Sequence, residues 1–325
     1  MSGVETREVG TAEADVRLDR WFKRHYPDVT FGRLAKLLRT GQVRVDGKRA
    51  KPGQRLVAGQ QVRVPPLAND IAARPKLQRQ SVALDEVEAQ ALRERVLYRD
   101  DDLIAFDKPA GLAVQGGSGT RRHLDGMLDA LRFDADERPR LVHRLDKDTS
   151  GVLVLARSAG AAAALAELFR GRDVEKTYWA LVVGVPEERR GQIALALAKR
   201  PAPGGEKMAV AEEGGLSAVT DYFVGEAIGT RLSWLVLRPR TGRTHQLRAH
   251  CAALGTPIVG DGKYGGAAAF VDGIAQRLHL HARQLRFRHP ATGKMLRIVA
   301  PMDGHMAESW RFLGLDADAD SDDPG

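Results

Sequence analysis

The apolar positions of this chain first fall into two short helical repeats. "VRLDRWFKRHY" puts Leu18, Trp21 and Phe22 on one side of a helix and basic residues on the other. "FGRLAKLLRTG" repeats the arrangement with Leu34, Leu37 and Leu38, and Gly41 is placed to end it. The period then changes to two. "QVRVDGKRA" alternates Val43 and Val45 and turns at Asp46-Gly47, a hairpin signal, and "QRLVAGQQVRVPP" supplies another strand. Residues 15–66 therefore read as a small domain. Residues 1–14 before it read as a flexible N-terminus, and residues 67–90, which hold no sustained period, as a linker.

A larger domain follows over 91–303. "VLYRDDDLIAFDKPAGLAVQGG" reads as strand, turn, strand and a Lys-Pro-x-Gly turn, and "GVLVLAR" as a buried strand. Ser158 is placed to cap a helix whose Ala161, Leu165, Leu168 and Phe169 face one way. "EKTYWALVVGV" is strand-like. "RLSWLVLRPRTGRTHQLRAHCAALGTP" reads as strand, turn and helix, stopped by Gly255 and Pro257. Strands and helices intersperse without a βαβ rhythm, so the expected fold is α+β with a mixed sheet rather than a doubly wound one. Over 304–325, Met306, Trp310 and Leu313 predict a short helix, and "LDADADSDDPG" an acidic, disordered tail.

Charge changes the picture once it is located. The chain of 325 residues carries a net +8, yet residues 15–66 alone hold thirteen Lys or Arg against four Asp. The basic excess therefore belongs to the small domain. Its partner is expected to be a polyanion, nucleic acid ahead of membrane. Cys251 is the only cysteine, which excludes an internal disulfide and a Cys-rich zinc site. No apolar run nears the roughly 20 residues of a membrane span. The N-terminus lacks an apolar signal core, so the expected compartment is the cytoplasm.

Three chemistries fit the remaining motifs poorly. His245 and His250 miss the i, i+4 spacing of a helical zinc pair, and His279 and His281 have no carboxylate nearby in sequence, so no metal is expected. "DKDTS" mimics the paired aspartates of a phosphatase, but its apolar strand comes after the aspartates instead of before them. "VQGGSGTRRH" lacks the Lys-Ser/Thr of a phosphate loop. What remains is a lone-carboxylate chemistry in "LVHRLDKDTSG", residues 141–151.

Several segments carry a family resemblance. "HRLDKDTSGVLVLAR" resembles the catalytic segment of the Rlu-type RNA pseudouridine synthases (the RluA, RluC and RluD family), and "RTGRTHQLRAHCAALGTPIVGDGKYG" resembles a second segment of the same family. "EKTYWALVVG", "LIAFDKPAGLAV" (with Asp107 for the usual Asn) and "LHLHARQLRFRHPATG" match others, in family order. Residues 15–66 are similar to the S-four-type RNA-binding module. "AVQGGSG" looks like the RluC-like branch and "GDGKYGG" like the RluD-like one; the first is favoured.

The resemblance implies an enzyme that isomerises uridines to pseudouridine in RNA, with large-subunit (23S) ribosomal RNA the favoured substrate. Transfer RNA is the alternative substrate, and a non-catalytic ribosome-assembly factor the alternative function. It implies Asp146 as the essential carboxylate, with Arg243 as its ion-pair partner. Tyr178 would stack under the target base, Arg144 would enter the RNA or bind a phosphate, and Leu247 would pack near the base edge. Lys108, His143, Thr149 and His245 are supporting residues. Lys36, Arg39, Arg44 and Lys48 match the RNA-facing positions of the basic module. The reaction is redox neutral, so no cofactor is expected, and the expected state is a monomer.

Overall fold

The computed structural model describes residues 4–67, 82–116, 120, 122–171, 173–202, 205–211 and 213–319. The chain divides into two compact units, residues 1–78 and 79–325.

In the first unit, helices α1 (Leu18–His25) and α2 (Phe31–Arg39) cover a four-stranded antiparallel sheet. Its strands are β1 (Glu5–Glu8), β2 (Arg44–Val45), β3 (Lys48–Arg49) and β4 (Gln61–Val64), in the order β1-β4-β2-β3. Leu18, Trp21, Phe22, Leu34 and Leu38 from the helices meet Val43, Val45, Val62 and Val64 from the sheet. Asp46 and Gly47 both take positive φ, 50° and 74°, as a two-residue hairpin turn requires. The flexible N-terminus expected over 1–14 does not hold for its described part. "ETRE" forms β1 along the β4 edge, all four residues exposed, held by its backbone ladder and so invisible to a hydrophobic pattern. Beyond it the Glu13 carboxylate accepts from Trp21 Nε1 at 2.9 Å and pairs with His25.

The second unit opens with α3 (Glu86–Arg93), which corrects the expected linker over 67–90. Asp85 and Glu88 close a capping box on it, but only Ala89 is fully buried, too thin a stripe to read as a helix. Residues 68–81 of that linker lie outside the described residues. An eleven-stranded mixed sheet forms the body. Its first strands are β5 (Val96–Arg99), β6 (Leu103–Lys108), β7 (Arg140–Leu141) and β8 (Ser150–Ala156), with the single turn α4 (Leu124–Met127) before β7. Helix α5 (Ala159–Arg170), capped by Ser158, leads to β9 (Glu175–Val183). Then come β10 (Arg190–Ala202), β11 (Gly205–Val210), β12 (Leu216–Ile228) and β13 (Leu232–Pro239). Helices α6 (Gln246–Ala253) and α7 (Gly262–Gly265) precede β14 (Leu280–Arg288), β15 (Met295–Val299) and α8 (Gly304–Leu313).

The main path is β11-β10-β12-β13-β9-β14-β8-β6-β5, with β15 beside β14 and β7 beside β8. Every pairing is antiparallel except β14 with β8. The centre of the sheet is buried on both faces, which explains the unbroken apolar runs in β9 and β13. One face of those strands (Ala180, Val182, Leu235, Leu237) packs against Leu247 and Cys251 of α6. The other (Trp179, Leu181, Trp234, Val236) packs against Met306 and Trp310 of α8. The start of the tail is not free either. Leu315 is buried, and the Arg283 guanidinium donates to the Ala317 carbonyl at 2.8 Å. Residues 320–325 lie outside the described residues, as do 117–119 and 121 of the glycine-rich segment.

Among the described residues no helix is long and apolar enough to cross a membrane.

Candidate active site

The loop from β7 to β8 carries "LVHRLDKDTSG", and its shape is set from below. Lys108 ends β6 fully buried, and its Nζ donates to the carbonyls of Pro109, Leu112 and Lys147, each at 2.9 Å. One ammonium thereby ties the Lys-Pro-x-Gly turn to the residue after Asp146. The Gly111 amide reinforces the tie by donating to the Lys147 carbonyl. Burial pulls the Lys108 pKa down to about 8, so the fold holds this charge at a cost that three carbonyls offset.

On the other side of the loop, the Val154 amide donates to His143 Nε2 at 2.8 Å, and the His143 ring stacks on Phe169, 4.1 Å between centroids. Burial, with Lys176 nearby, drives the His143 pKa down to about 3, so this imidazole stays neutral. Thr149 and Ser150 are buried, and Ser150 Oγ bonds His281 Nδ1 at 2.9 Å. Asp146 is left with its carboxylate about one-fifth exposed at the mouth of a cavity of about 300 Å³.

The facing wall is the turn between β13 and α6, "RTGRTHQ". Gln246 organises it. Its Oε1 accepts from Thr241 Oγ1 at 2.8 Å and from the Arg243 amide at 3.0 Å, while its Nε2 donates to the Val219 carbonyl and Thr220 Oγ1, both at 3.0 Å. His245 follows in the left-handed region, φ 51°, and projects its ring toward Asp146, Nε2 to Oδ2 3.9 Å. Leu247 on the first turn of α6 and Tyr178 on β9 complete the lining. Burial, and then the charge of Asp146, raise the Tyr178 pKa, so its phenol is neutral.

The cavity thus gathers Arg144, Asp146, Tyr178, Arg243 and Leu247, together with His143, Thr149 and His245. Lys108 acts from beneath. Arg144 is exposed and forms no hydrogen bond or ion pair among the described residues. One expectation is corrected: Arg243 is not the ion-pair partner of Asp146 here. Its Nε donates to the Ser217 carbonyl of β12 at 3.1 Å, and among the described residues the ion-pairing side chain within 4 Å of the Asp146 carboxylate is His245. Gln246, Lys176 and Tyr264 were not singled out from the sequence. All three lie within quoted segments, but Gln246 and Tyr264 gain their places by contacts to β12 and β11, remote in the chain, and Lys176 lies over the Phe169 ring.

Lys36, Arg39, Arg44 and Lys48 belong to the first unit, all exposed on the last turn of α2 and the β2–β3 hairpin. Arg44 also braces the local shape, donating from Nε to the Gly41 carbonyl and from a terminal nitrogen to that of Gly47.

A possible metal cluster groups Asp100, Asp102 and His289, whose ligand atoms lie within 4.8 Å of one another. The protons argue against a ligand role. His289 Nδ1 accepts from the amides of Ala291 and Thr292, so a neutral ring carries its proton on Nε2, the atom 3.0 Å from Asp100. That nitrogen therefore faces the carboxylate with its proton rather than a lone pair, although the contact is outside hydrogen-bond geometry.

Comparison with known proteins agrees with this architecture. Residues 102–253 match the family described as RNA pseudouridylate synthase, and residues 16–62 match the S4 domain. The chain is 36% identical to "Ribosomal large subunit pseudouridine synthase C" of Salmonella typhimurium, over 94% of this chain and 95% of that protein. It is 37% identical to the Escherichia coli K12 protein of the same name, over 90% and 91%. A plant relative, "RNA pseudouridine synthase 4, mitochondrial" of Arabidopsis thaliana, is 40% identical over 76% of this chain, which spans 59% of that longer protein. Among solved structures, "Human RNA Pseudouridylate Synthase Domain Containing 4" superposes with a TM-score of 0.59 at 31% identity, covering 71% of this chain and 97% of its own. The chain belongs to the RNA pseudouridylate synthase family. It is an RNA-modifying isomerase of that family that also carries an S4 RNA-binding domain.

Proposed function

We propose that this chain isomerises specific uridines of large-subunit (23S) ribosomal RNA to pseudouridine in the cytoplasm, with Asp146 as the reacting carboxylate. The substrate rests on similarity, over nearly the full length of both chains, to bacterial proteins named for the ribosomal large subunit. The site rests on one observation: Asp146 faces a cavity whose other walls are the aromatic Tyr178, the apolar Leu247 and the cationic turn at Arg243.

The reaction breaks the N1–C1′ bond of uridine, turns the base over and joins C5 to C1′. A carboxylate serves it in either of two ways, by attacking C1′ or by taking a sugar proton, and both leave the redox balance unchanged. The cavity admits a base only after it has left its stack; Tyr178 then offers an aromatic face and Leu247 an apolar edge. Arg144 and Arg243, exposed at the rim, suit the flanking phosphates. Lys36, Arg39, Arg44 and Lys48 supply sequence-independent phosphate contacts from the other unit. The chain is proposed to act as a monomer and without a metal.

The test is pseudouridine mapping on unmodified 23S ribosomal RNA and bulk transfer RNA, treated with wild type or Asp146→Asn. Discrete sites in ribosomal RNA from wild type alone are expected. Sites only in transfer RNA would overturn the substrate. A binding-only assembly role would leave both RNAs unmodified by folded, RNA-bound protein.

A further inference from the structure

Behind His245 stands a residue that the reading above does not use. Tyr264, at the end of the segment "GDGKYG", directs its hydroxyl to His245 Nδ1 at 3.0 Å, and the same oxygen accepts from the Met208 amide of β11 at 3.1 Å. The ring is held on several sides. Asp261 Oδ1 accepts from the Tyr264 amide. The Arg248 guanidinium lies 5.1 Å from the ring centroid, itself forked onto the fully buried Asp261 by two bonds of 2.7 Å.

Both neighbours of the imidazole select one protonation pattern. With the proton on Nε2, His245 turns a donor toward the Asp146 carboxylate, and its bare Nδ1 accepts the Tyr264 hydroxyl proton. With the proton on Nδ1, the Nε2 lone pair would face a carboxylate, and the Tyr264 oxygen would have to accept from both His245 and Met208. The charged groups around the ring are Asp146, Arg248, Lys263 and Asp261, and burial outweighs the attraction of Asp146, lowering the pKa of His245. A neutral ring is therefore the resting form at pH 7.

We propose that Tyr264 is a positioning residue for the reacting carboxylate: its hydroxyl fixes His245 as the Nε2–H tautomer, and this neutral imidazole orients Asp146 by donation. The inference rests on the reading of Asp146 given above. The 3.9 Å separation exceeds a hydrogen bond, and hydrogen bonds in unliganded sites commonly tighten once substrate is bound.

Single-turnover kinetics on the RNA substrate test it with four variants: Tyr264→Phe, His245→Gln, His245→Asn and the double variant Tyr264→Phe/His245→Gln. The Gln amide nitrogen reaches the position of Nε2, whereas that of Asn stops near Nδ1. His245→Gln should therefore retain several-fold more activity than His245→Asn. Tyr264→Phe should lower the single-turnover rate constant at saturating RNA about tenfold with the half-saturating RNA concentration unchanged, as for one hydrogen bond acting through a charged group. It should cost nothing further in the His245→Gln background, because the tautomer no longer exists to be set. An equal loss in both backgrounds would overturn the proposal, as would a Gln variant no better than Asn. Should Tyr264→Phe melt early or lose RNA affinity, the same comparison made below its melting point and at saturating RNA decides. Asp146→Asn, run alongside, separates the two readings. If it stays active the carboxylate assignment fails; if it is inactive while Tyr264→Phe is neutral, only the role of Tyr264 fails.

Discussion

Asp107 stands where the resembling family's motif has Asn, and the structure shows what the extra charge costs. Its side chain is buried at the end of β6, one carboxylate oxygen has no hydrogen-bond partner, and the other accepts from Arg95 at 2.8 Å. Arg95 is shared with Asp303 at the start of α8. Burial, and then repulsion from Asp303, push the Asp107 pKa up from 3.8 to about 6, against the attraction of Arg95 and Lys108. The folded chain therefore binds this proton more tightly than the unfolded chain. The resulting cost is absent below about pH 4, grows as pH rises, and is complete above about pH 6, at most about 3 kcal/mol. Asp107→Asn should accordingly gain stability relative to wild type between pH 4 and pH 7 in urea unfolding. A difference that stays flat across that range would show that Asp107 does not titrate this way. At this scale the sequence singled out Asp146 through its motif, and the structure sets that residue on the cavity wall. It did not show that His245, rather than Arg243, approaches the carboxylate, because that depends on where the β12 backbone offers an acceptor.

The elements were legible where one chain segment decides its own structure. Helices α1, α2, α5, α6 and α8 followed from apolar periodicity with a cap or a glycine stop, and β6, β8, β9 and β13 from apolar runs. Those that escaped are stabilised by partners. β1 has no apolar side chain, α3 buries little, and the long strands β10 and β12 fill several buried positions with small or polar residues such as Ala218 and Thr220. The junction that matters most for the site is the parallel seam between β8 and β14, where His281 pairs with Ser150 and Ala282 with Gly151. Gly151 has φ 104°, and a β-carbon on it would lie 2.2 Å from the Ala282 carbonyl oxygen. The glycine after Thr-Ser therefore lets two backbones meet directly behind the Asp146 loop. Gly151→Ala should destabilise the protein by about 3 kcal/mol or more, combining a forbidden φ with a backbone clash. Thermal unfolding measures the loss. A melting point within two degrees or so of wild type would mean the seam can open without consequence.

At the scale of the whole molecule, chemistry and charge sit in different units. Residues 15–66 hold nine net positive charges, whereas the rest of the chain is near neutral and contains Asp146. Phosphate contacts release counterions, so each lost contact should flatten the salt dependence of RNA binding by a nearly fixed amount without altering the chemical step. Lys36, Arg39 and Lys48 suit the test, because they are exposed and their side chains form no hydrogen bond or ion pair among the described residues, unlike Arg44. The triple variant Lys36→Ala/Arg39→Ala/Lys48→Ala should bind RNA more weakly at low salt. Its slope of log K against log salt should be shallower by roughly two to three, at about 0.7–0.9 per contact. At saturating RNA its single-turnover rate should equal that of wild type, since nothing around Asp146 has changed. An unaltered slope would remove these residues from the RNA interface. A lowered saturating rate would show instead that the basic unit takes part in presenting the target uridine, making the two units one catalytic device rather than an anchor and an enzyme.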